Sequence, residues 1–234
     1  MRACVTVAVI ALAASCAAPS ERAIERGNAA ARANQLEEAR EAYAEAVSRD
    51  PTARSHLLLG NALMSLGKRD EAIGQWQLGD AREALAADAL ERGDPSSALA
   101  WVDATRSLAG RALKARALLA LGRGDDALAV LEGIDAIGET AYVKGCALLA
   151  VRRFDEARGA FDSLVRASSK SPLGPYGLAR LAASQERAAG ALLYLKAARA
   201  AAGPSWNPKA VERDAAFEFL SALGEYKELL RPPP

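Results

Sequence analysis

The chain has 234 residues, 51% apolar and only 5% aromatic, which is enough for a sizeable core in one or two domains and too apolar for disorder. Its 30 Lys and Arg nearly cancel its 29 Asp and Glu, so no global basic field is present to drive nucleic-acid binding. Alanine supplies 56 residues; as the best helix former and a poor strand former, it points to an all-α protein whose helices pack closely in pairs.

The first predicted element is an uncharged apolar run, Ala3 to Leu12, behind Met1 and Arg2 and ahead of Ala13-Ala14-Ser15-Cys16. It is too short to span a bilayer and has the length of a signal-peptide core. Small residues directly before a cysteine resemble the bacterial lipobox. That resemblance implies a signal peptide over 1–15, acylation of Cys16, and a lipid-anchored N-terminus with a short linker over 16–19. Leu12 stands one place further upstream than in that motif, and ordinary signal-peptidase cleavage is the alternative. Ala17, rather than Asp, behind the cysteine implies outer-membrane sorting by the same resemblance. Cleavage removes Arg2 and Cys4 and leaves 29 cations against 29 anions. With Cys16 acylated, Cys146 stands alone and no intramolecular disulfide forms. One His and one thiol cannot build a zinc site, so neither a metal nor a cofactor is expected.

Downstream, the chain repeats itself. Turn-like segments begin at Asn34, Gly67, Gly93, Gly122 and Arg152, and each has an alanine five residues on: Ala39, Ala72, Ala98, Ala127 and Ala157. Four residues later comes a bulky side chain: Tyr43, Trp76, Val102, Leu131 and Phe161. Seven residues before each turn sits a small one: Gly27, Gly60, Ala86, Ala115 and Gly145. A sixth copy follows with Ala179, Ala191 and Leu195. The small residue admits an antiparallel partner helix and the bulky one plugs the gap. Acidic residues after the turns (Glu37-Glu38, Asp125-Asp126, Asp155-Glu156) complement the second helix's dipole, and Asp94-Pro95 reads as N-cap and N1. The predicted hairpins run 20–52, 53–78, 79–107, 108–137, 138–171 and 172–205. Asn207-Pro208 then opens a predicted capping helix over 208–223, and a short segment around Tyr226 to Leu230 and a proline tail complete the region 206–234.

These hairpins resemble the tetratricopeptide repeat family. The first carries Gly27, Ala39, Tyr43, Ala46 and Pro51 at that family's small, small, aromatic, small and proline positions. The second carries Leu59-Gly60, Leu66-Gly67, Ala72 and Trp76. Later units diverge and several are shorter than the family's usual length of about 34 residues. The resemblance covers some four fifths of the chain. It implies a right-handed superhelical solenoid of six antiparallel helix hairpins with a C-terminal capping helix. It also implies a concave groove, lined by the first helices, that takes a peptide or partner helix.

Nothing in the sequence matches a Walker loop, a G-x-S-x-G elbow, an H-E-x-x-H pair or a Cys–His nucleophile spacing, so catalysis is not expected. His56 reads as a packing or surface residue, and Cys146, next to Gly145, as a buried inert thiol. In the family's geometry the residue after each small packing position faces the groove: Asn28, Asn61, Ala87, Arg116, Cys146 and Arg180. One turn earlier come Ile24, Leu57, Glu83, Ala112, Tyr142 and Tyr176. The best-formed repeats are the first two, so the predicted groove is Ile24, Asn28, Leu57, Asn61 and Met64. The two amides there are placed to hold a peptide backbone, or alternatively reflect repeat consensus alone. The family's carboxylate clamp needs Lys where Ile24 and Leu57 stand, so binding of chaperone C-termini is not expected. The expected protein is a non-catalytic envelope lipoprotein that scaffolds a protein complex from the outer membrane, facing the periplasm. In outline it resembles the repeat lipoproteins of outer-membrane insertion, pilus or secretin assembly. The alternative is a soluble periplasmic adaptor regulating a cell-wall enzyme.

Overall fold

The computed structural model describes residues 18–134 and 137–231; the expected signal peptide over 1–15, Cys16 and the proline tail lie outside them. The described chain is helical, and no strand occurs among the described residues. It forms two compact units that divide after Asp88. The first holds α1 (Pro19–Arg32), α2 (Leu36–Arg49), α3 (Ala53–Ser65) and α4 (Arg69–Leu78), with α5 (Arg82–Glu91) crossing the division. The second holds α6 (Pro95–Val102), α7 (Leu108–Ala120), α8 (Gly124–Val130), α9 (Gly138–Ala150), α10 (Phe154–Ala167), α11 (Leu173–Ala183) and α12 (Ala188–Ala202). Helices pair as antiparallel hairpins, α1 with α2 and α3 with α4 in the first unit, and α7 with α8, α9 with α10 and α11 with α12 in the second.

The hairpin turns share one hydrogen-bond scheme. Just past the first helix of each pair comes a residue of positive φ: Asn34, Gly67, Gly93, Gly122, Arg152 and Glu186. The next amide then reaches back five residues, as in Gln35 N–H to Ala30 O and Lys68 N–H to Leu63 O, both 2.9 Å, and Arg153 N–H to Leu148 O at 2.8 Å. This Schellman closure satisfies carbonyls that a helix end otherwise leaves orphaned. Glycine and asparagine adopt that conformation cheaply; Arg152 and Glu186 adopt it against a Cβ clash. Helix starts are fixed by side chains. Thr52 and Ser55 form a reciprocal capping box, and Asp94 and Ser107 accept from amides three residues on.

Inside the hairpins, Ala39, Ala72, Ala98, Ala127, Ala157 and Ala191 are all fully buried. So are the plugs Leu131, Phe161 and Leu195, with Tyr43 and Trp76 nearly so. Where the plug is aromatic, the facing residue is glycine, because the ring occupies the space of a Cβ. A methyl on Gly27 would lie 2.4 Å from Tyr43 Cε1, on Gly60 2.5 Å from Trp76 Cδ1, and on Gly145 2.4 Å from Phe161 Cε1. Phe161 is gripped from the next hairpin as well, for a methyl on Gly177 would fall 2.1 Å from its Cδ1. Where the plug is leucine, alanine takes the glycine's place: Ala115 clusters with Leu131, and Ala179 with Leu195.

The C-terminal region departs from the expected single helix over 208–223. After a 3₁₀ turn at Gly203–Ser205, α13 (Pro208–Glu212) stops short of Asp214, whose carboxylate accepts from Ala216 N–H at 3.1 Å and starts a 3₁₀ segment, Ala215–Leu220. The three-residue repeat of that segment turns Phe217 and Leu220 inward together, both fully buried. Then α14 (Gly224–Leu229) returns to the same core. Trp206 donates from Nε1 to Leu229 O at 2.9 Å, and Tyr226 from its hydroxyl to Val211 O at 3.2 Å, so the segment is tied to itself.

Gly60→Ala pushes a methyl into the Trp76 ring and should cost about 1–3 kcal/mol. Adding Trp76→Leu should return part of that loss, because the smaller plug leaves room. A double-mutant cycle by urea denaturation checks the coupling; additive losses would mean that the glycine and the ring do not share the space.

Candidate functional site

The first helices carry the positions predicted to face a partner, and their surroundings differ between the units. In the first unit, Asn28 Oδ1 accepts from Tyr43 OH at 2.9 Å and Asn61 Oδ1 accepts from Trp76 Nε1 at 3.1 Å. The residue after each packing glycine thus serves the polar end of the aromatic plug that the glycine admits. A buried indole N–H without an acceptor would cost roughly 1–3 kcal/mol, which gives both asparagines a structural role. Leu57 and Met64 are half-buried against the core of this unit, and Asn61 is exposed between them on α3. Ile24 is a correction to the expected groove. It is only 4% exposed and packs with Ala23, Ala46 and Leu58, so it belongs to the core. His56 is also packed inside, its Nδ1 bonded to Gln75 Oε1 at 2.8 Å.

In the second unit the same register carries Arg116, Cys146 and Arg180. The plugs Leu131, Phe161 and Leu195 have no polar end to satisfy, so these side chains need not turn back into the hairpin. Instead they line a cleft of about 750 Å³. Its apolar wall is Leu90, Leu119, Ala120, Leu149 and Leu173, and its polar lining adds Glu139 and Tyr142. Arg116 and Glu139 pair across it at 3.1 Å. Arg180 belongs to the same lining.

Arg180 sits among part-buried groups from three elements. Its Nε lies 3.5 Å from Asp214 Oδ2, an ion pair without a hydrogen bond, and its Nη1 lies 3.9 Å from Cys146 Sγ. Tyr176, one turn earlier on α11, donates its hydroxyl to the same Asp214 oxygen at 2.8 Å. The rings of Tyr142 and Tyr176 stand 6.5 Å apart, and Tyr176 meets Phe217 edge-on at 5.6 Å. Burial opposes the Arg180 charge, but Cys146, Tyr142 and Asp214 around it outweigh that and hold it firmly protonated. Burial pushes the hydroxyls of Tyr142 and Tyr176 well above the usual tyrosine range, with Cys146 adding for the first and Asp214 for the second. It also pushes the Cys146 thiol up against the pull of Arg180. A thiol held protonated is a poor nucleophile. The cleft therefore offers a permanent cation at the end of an apolar wall, which is suited to binding.

Asp214 was hidden from sequence reasoning because it interrupts what reads as one helix. Tyr142, Cys146, Tyr176 and Arg180 were legible as inward positions, one helical turn apart on α9 and on α11. Asp214→Ala removes the cap of the 3₁₀ segment, the acceptor of Tyr176 and the counter-charge of Arg180, and should cost about 2–4 kcal/mol. Glu225→Ala, which breaks an exposed pair with Lys196, should cost under about 1 kcal/mol. Urea denaturation compares the two; equal losses would mean that Asp214 does not hold this end of the unit together.

A tetratricopeptide repeat model matches residues 24–79 and 142–205, just over half of the chain. No curated protein matches the sequence. Among solved structures, pilF of Pseudomonas aeruginosa is similar with a TM-score of 0.63 at 14% identity, over 87% of this chain and 96% of that one. A tetratricopeptide repeat protein from Parabacteroides merdae gives 0.61 at 16% identity, over 90% and 97%. The APC/C hetero-tetramer Cut9–Hcn1 gives 0.61 at 13% identity, over 91% of this chain and 45% of that one. At these identities the likeness is one of fold.

Proposed function

The chain belongs to the tetratricopeptide repeat family, and on that premise we propose that it is a non-catalytic scaffold for a bacterial envelope complex, held at the outer membrane by acylated Cys16 and facing the periplasm. The observation that carries the binding role is the cleft of residues 89–231, where the first helices turn an apolar wall and unspent polar side chains outward. The face of Leu57, Asn61 and Met64 in the first unit is a second contact surface. Its asparagine amide is held by the Trp76 indole with the nitrogen end left for a peptide carbonyl. The part-buried Cys146, whose thiol is pushed up and so held protonated, and the charge-paired acidic residues at helix starts argue against a catalytic reading. Glu37 and Glu156, for instance, are held below the usual carboxylate range by hydrogen bonds from Arg40 and Arg153.

Membrane attachment in this reading comes from the lipid alone, because no helix among the described residues is long and apolar enough to cross a bilayer. Several acyl chains at about 0.8 kcal/mol per buried CH₂ are ample to hold it there. Which machine the scaffold serves (outer-membrane assembly, a pilus or secretion) is tested by affinity capture from envelope extracts with identification of the bound partner. Cys16→Ser should move the protein from the membrane to the soluble fraction, and mass spectrometry of the parent should show an acylated N-terminal cysteine. A mature N-terminus elsewhere, or an unmodified Cys16, would leave a soluble protein and overturn the anchoring.

A further inference from the structure

The cleft of residues 89–231 also has a chemistry that selects among partners, and this step rests on the scaffold reading above. Its lining carries the charges Arg116, Glu139 and Arg180. Arg116 and Glu139 pair with each other at 3.1 Å and are both largely exposed. Arg180 is the remaining cation, and the lining has no second carboxylate to match it. Asp214, outside the lining, stands 3.5 Å from Nε, and that buried Nε makes no hydrogen bond. Nη1 lies 3.9 Å from the Cys146 thiol, and the guanidinium also donates to the Tyr142 hydroxyl. A guanidinium carries five N–H donors in a fixed fork, matched in shape to a carboxylate. Asp214 cannot swing closer, since Oδ1 caps Ala216 and Oδ2 accepts from Tyr176. The result is a cation kept charged by its surroundings, positioned by Asp214, Cys146 and Tyr142, whose five N–H groups outnumber those contacts. Beside it lies an apolar wall formed by Leu119, Leu149 and Leu173.

We propose that this cleft receives a partner segment that presents an acidic side chain next to an aliphatic one, the carboxylate on Arg180 and the aliphatic group against the leucine wall. A charge-assisted, two-point hydrogen bond in a partly desolvated cleft is both strong and directional. A basic segment would meet Arg180 as a like charge, and a neutral polar one would leave the fork unfilled. Asp214 and Tyr176 are positioning residues for it.

The test uses short fluorescent peptides on a Gly-Ser background, amidated at the C-terminus, read by anisotropy against the full chain. The peptide carrying Leu-Gly-Glu should bind roughly ten-fold or more tightly than those carrying Leu-Gly-Gln or Ala-Gly-Glu, the difference expected of a charge-assisted bond. This comparison needs no variant. Arg180→Gln should erase the preference for Glu over Gln, and Ala120→Glu, at an exposed position of the lining, should weaken the Leu-Gly-Glu peptide by repulsion. Melting curves verify that both variants fold. Equal binding of the Glu and Gln peptides, a preference that survives Arg180→Gln, tighter binding of a Leu-Gly-Lys peptide, or no binding at all would each overturn the proposal. A Leu-Gly-Gln peptide with a free C-terminus that binds as well as the acidic one would assign Arg180 to chain ends and overturn the side-chain assignment. A captured partner that binds Arg180→Gln and Ala120→Glu as it binds the parent would leave the scaffold function standing and remove this site from it.

Discussion

An aromatic ring set into the space of a missing Cβ is the contact on which the packing of these hairpins depends. Tyr43, Trp76 and Phe161 each lie where a methyl on Gly27, Gly60 or Gly145 would be. The glycine lets the second helix deliver a large apolar group to the axis of the first, and burying such a side chain contributes on the order of 1.5–3 kcal/mol. The cost is a flexible residue in mid-helix, roughly 0.5–1 kcal/mol against alanine. Hairpins with a leucine plug avoid that cost by keeping alanine opposite, as with Ala115 and Ala179. Glycine and ring therefore behave as one unit of volume shared between two helices. The repeat alanines of the second helices, Ala39, Ala72, Ala98, Ala127, Ala157 and Ala191, are fully buried and keep the remaining distance short.

The identity of the plug also decides what the neighbouring residue is able to do. Tyr43 and Trp76 bring a hydroxyl and an indole N–H into the interior, and the residue after the glycine must answer them. Asn28 and Asn61 do so with their oxygens. Phe161, Leu131 and Leu195 bring nothing polar, so the equivalent Cys146, Arg116 and Arg180 are released to the inner face. The hairpins with a polar plug have thus spent these side chains on packing, whereas those with an apolar plug have kept theirs for a cleft, although the family model matches 142–205 as it does 24–79.

Most of the architecture was legible in residues with a single physical purpose. The alanines, the packing glycines and the plugs recur at fixed spacings, and four of the six left-handed turn residues are Asn34, Gly67, Gly93 and Gly122, whose types announce the conformation. Arg152 and Glu186 do not announce it; there the hydrogen-bond closure overrides preference. The capping region was misread because Asp214 sits inside an apolar pattern that also fits a long helix, and only its bond to Ala216 shows that the period changes from 3.6 to 3. The site was harder. Ile24 stands one turn before an inward position, yet Leu58 and Ala46 enclose it. Conversely, the attachment of Arg180 to Asp214, 34 residues apart, leaves no local trace in the chain.

A stack of hairpins is open at its last member, whose outer face is a copy of every face already buried. Here Leu192, Leu195 and Ala198 of α12 are covered by Trp206, Phe217, Leu220 and Leu229, and the segment that supplies them closes on itself through its own indole and phenol. Such a cover acts as a stopper. An uncovered α12 face would be complementary to the leading face of another molecule, and a contact of that kind, repeated head to tail, does not close into a ring but grows. By covering α12, the irregular C-terminal segment takes away the surface on which such growth would begin.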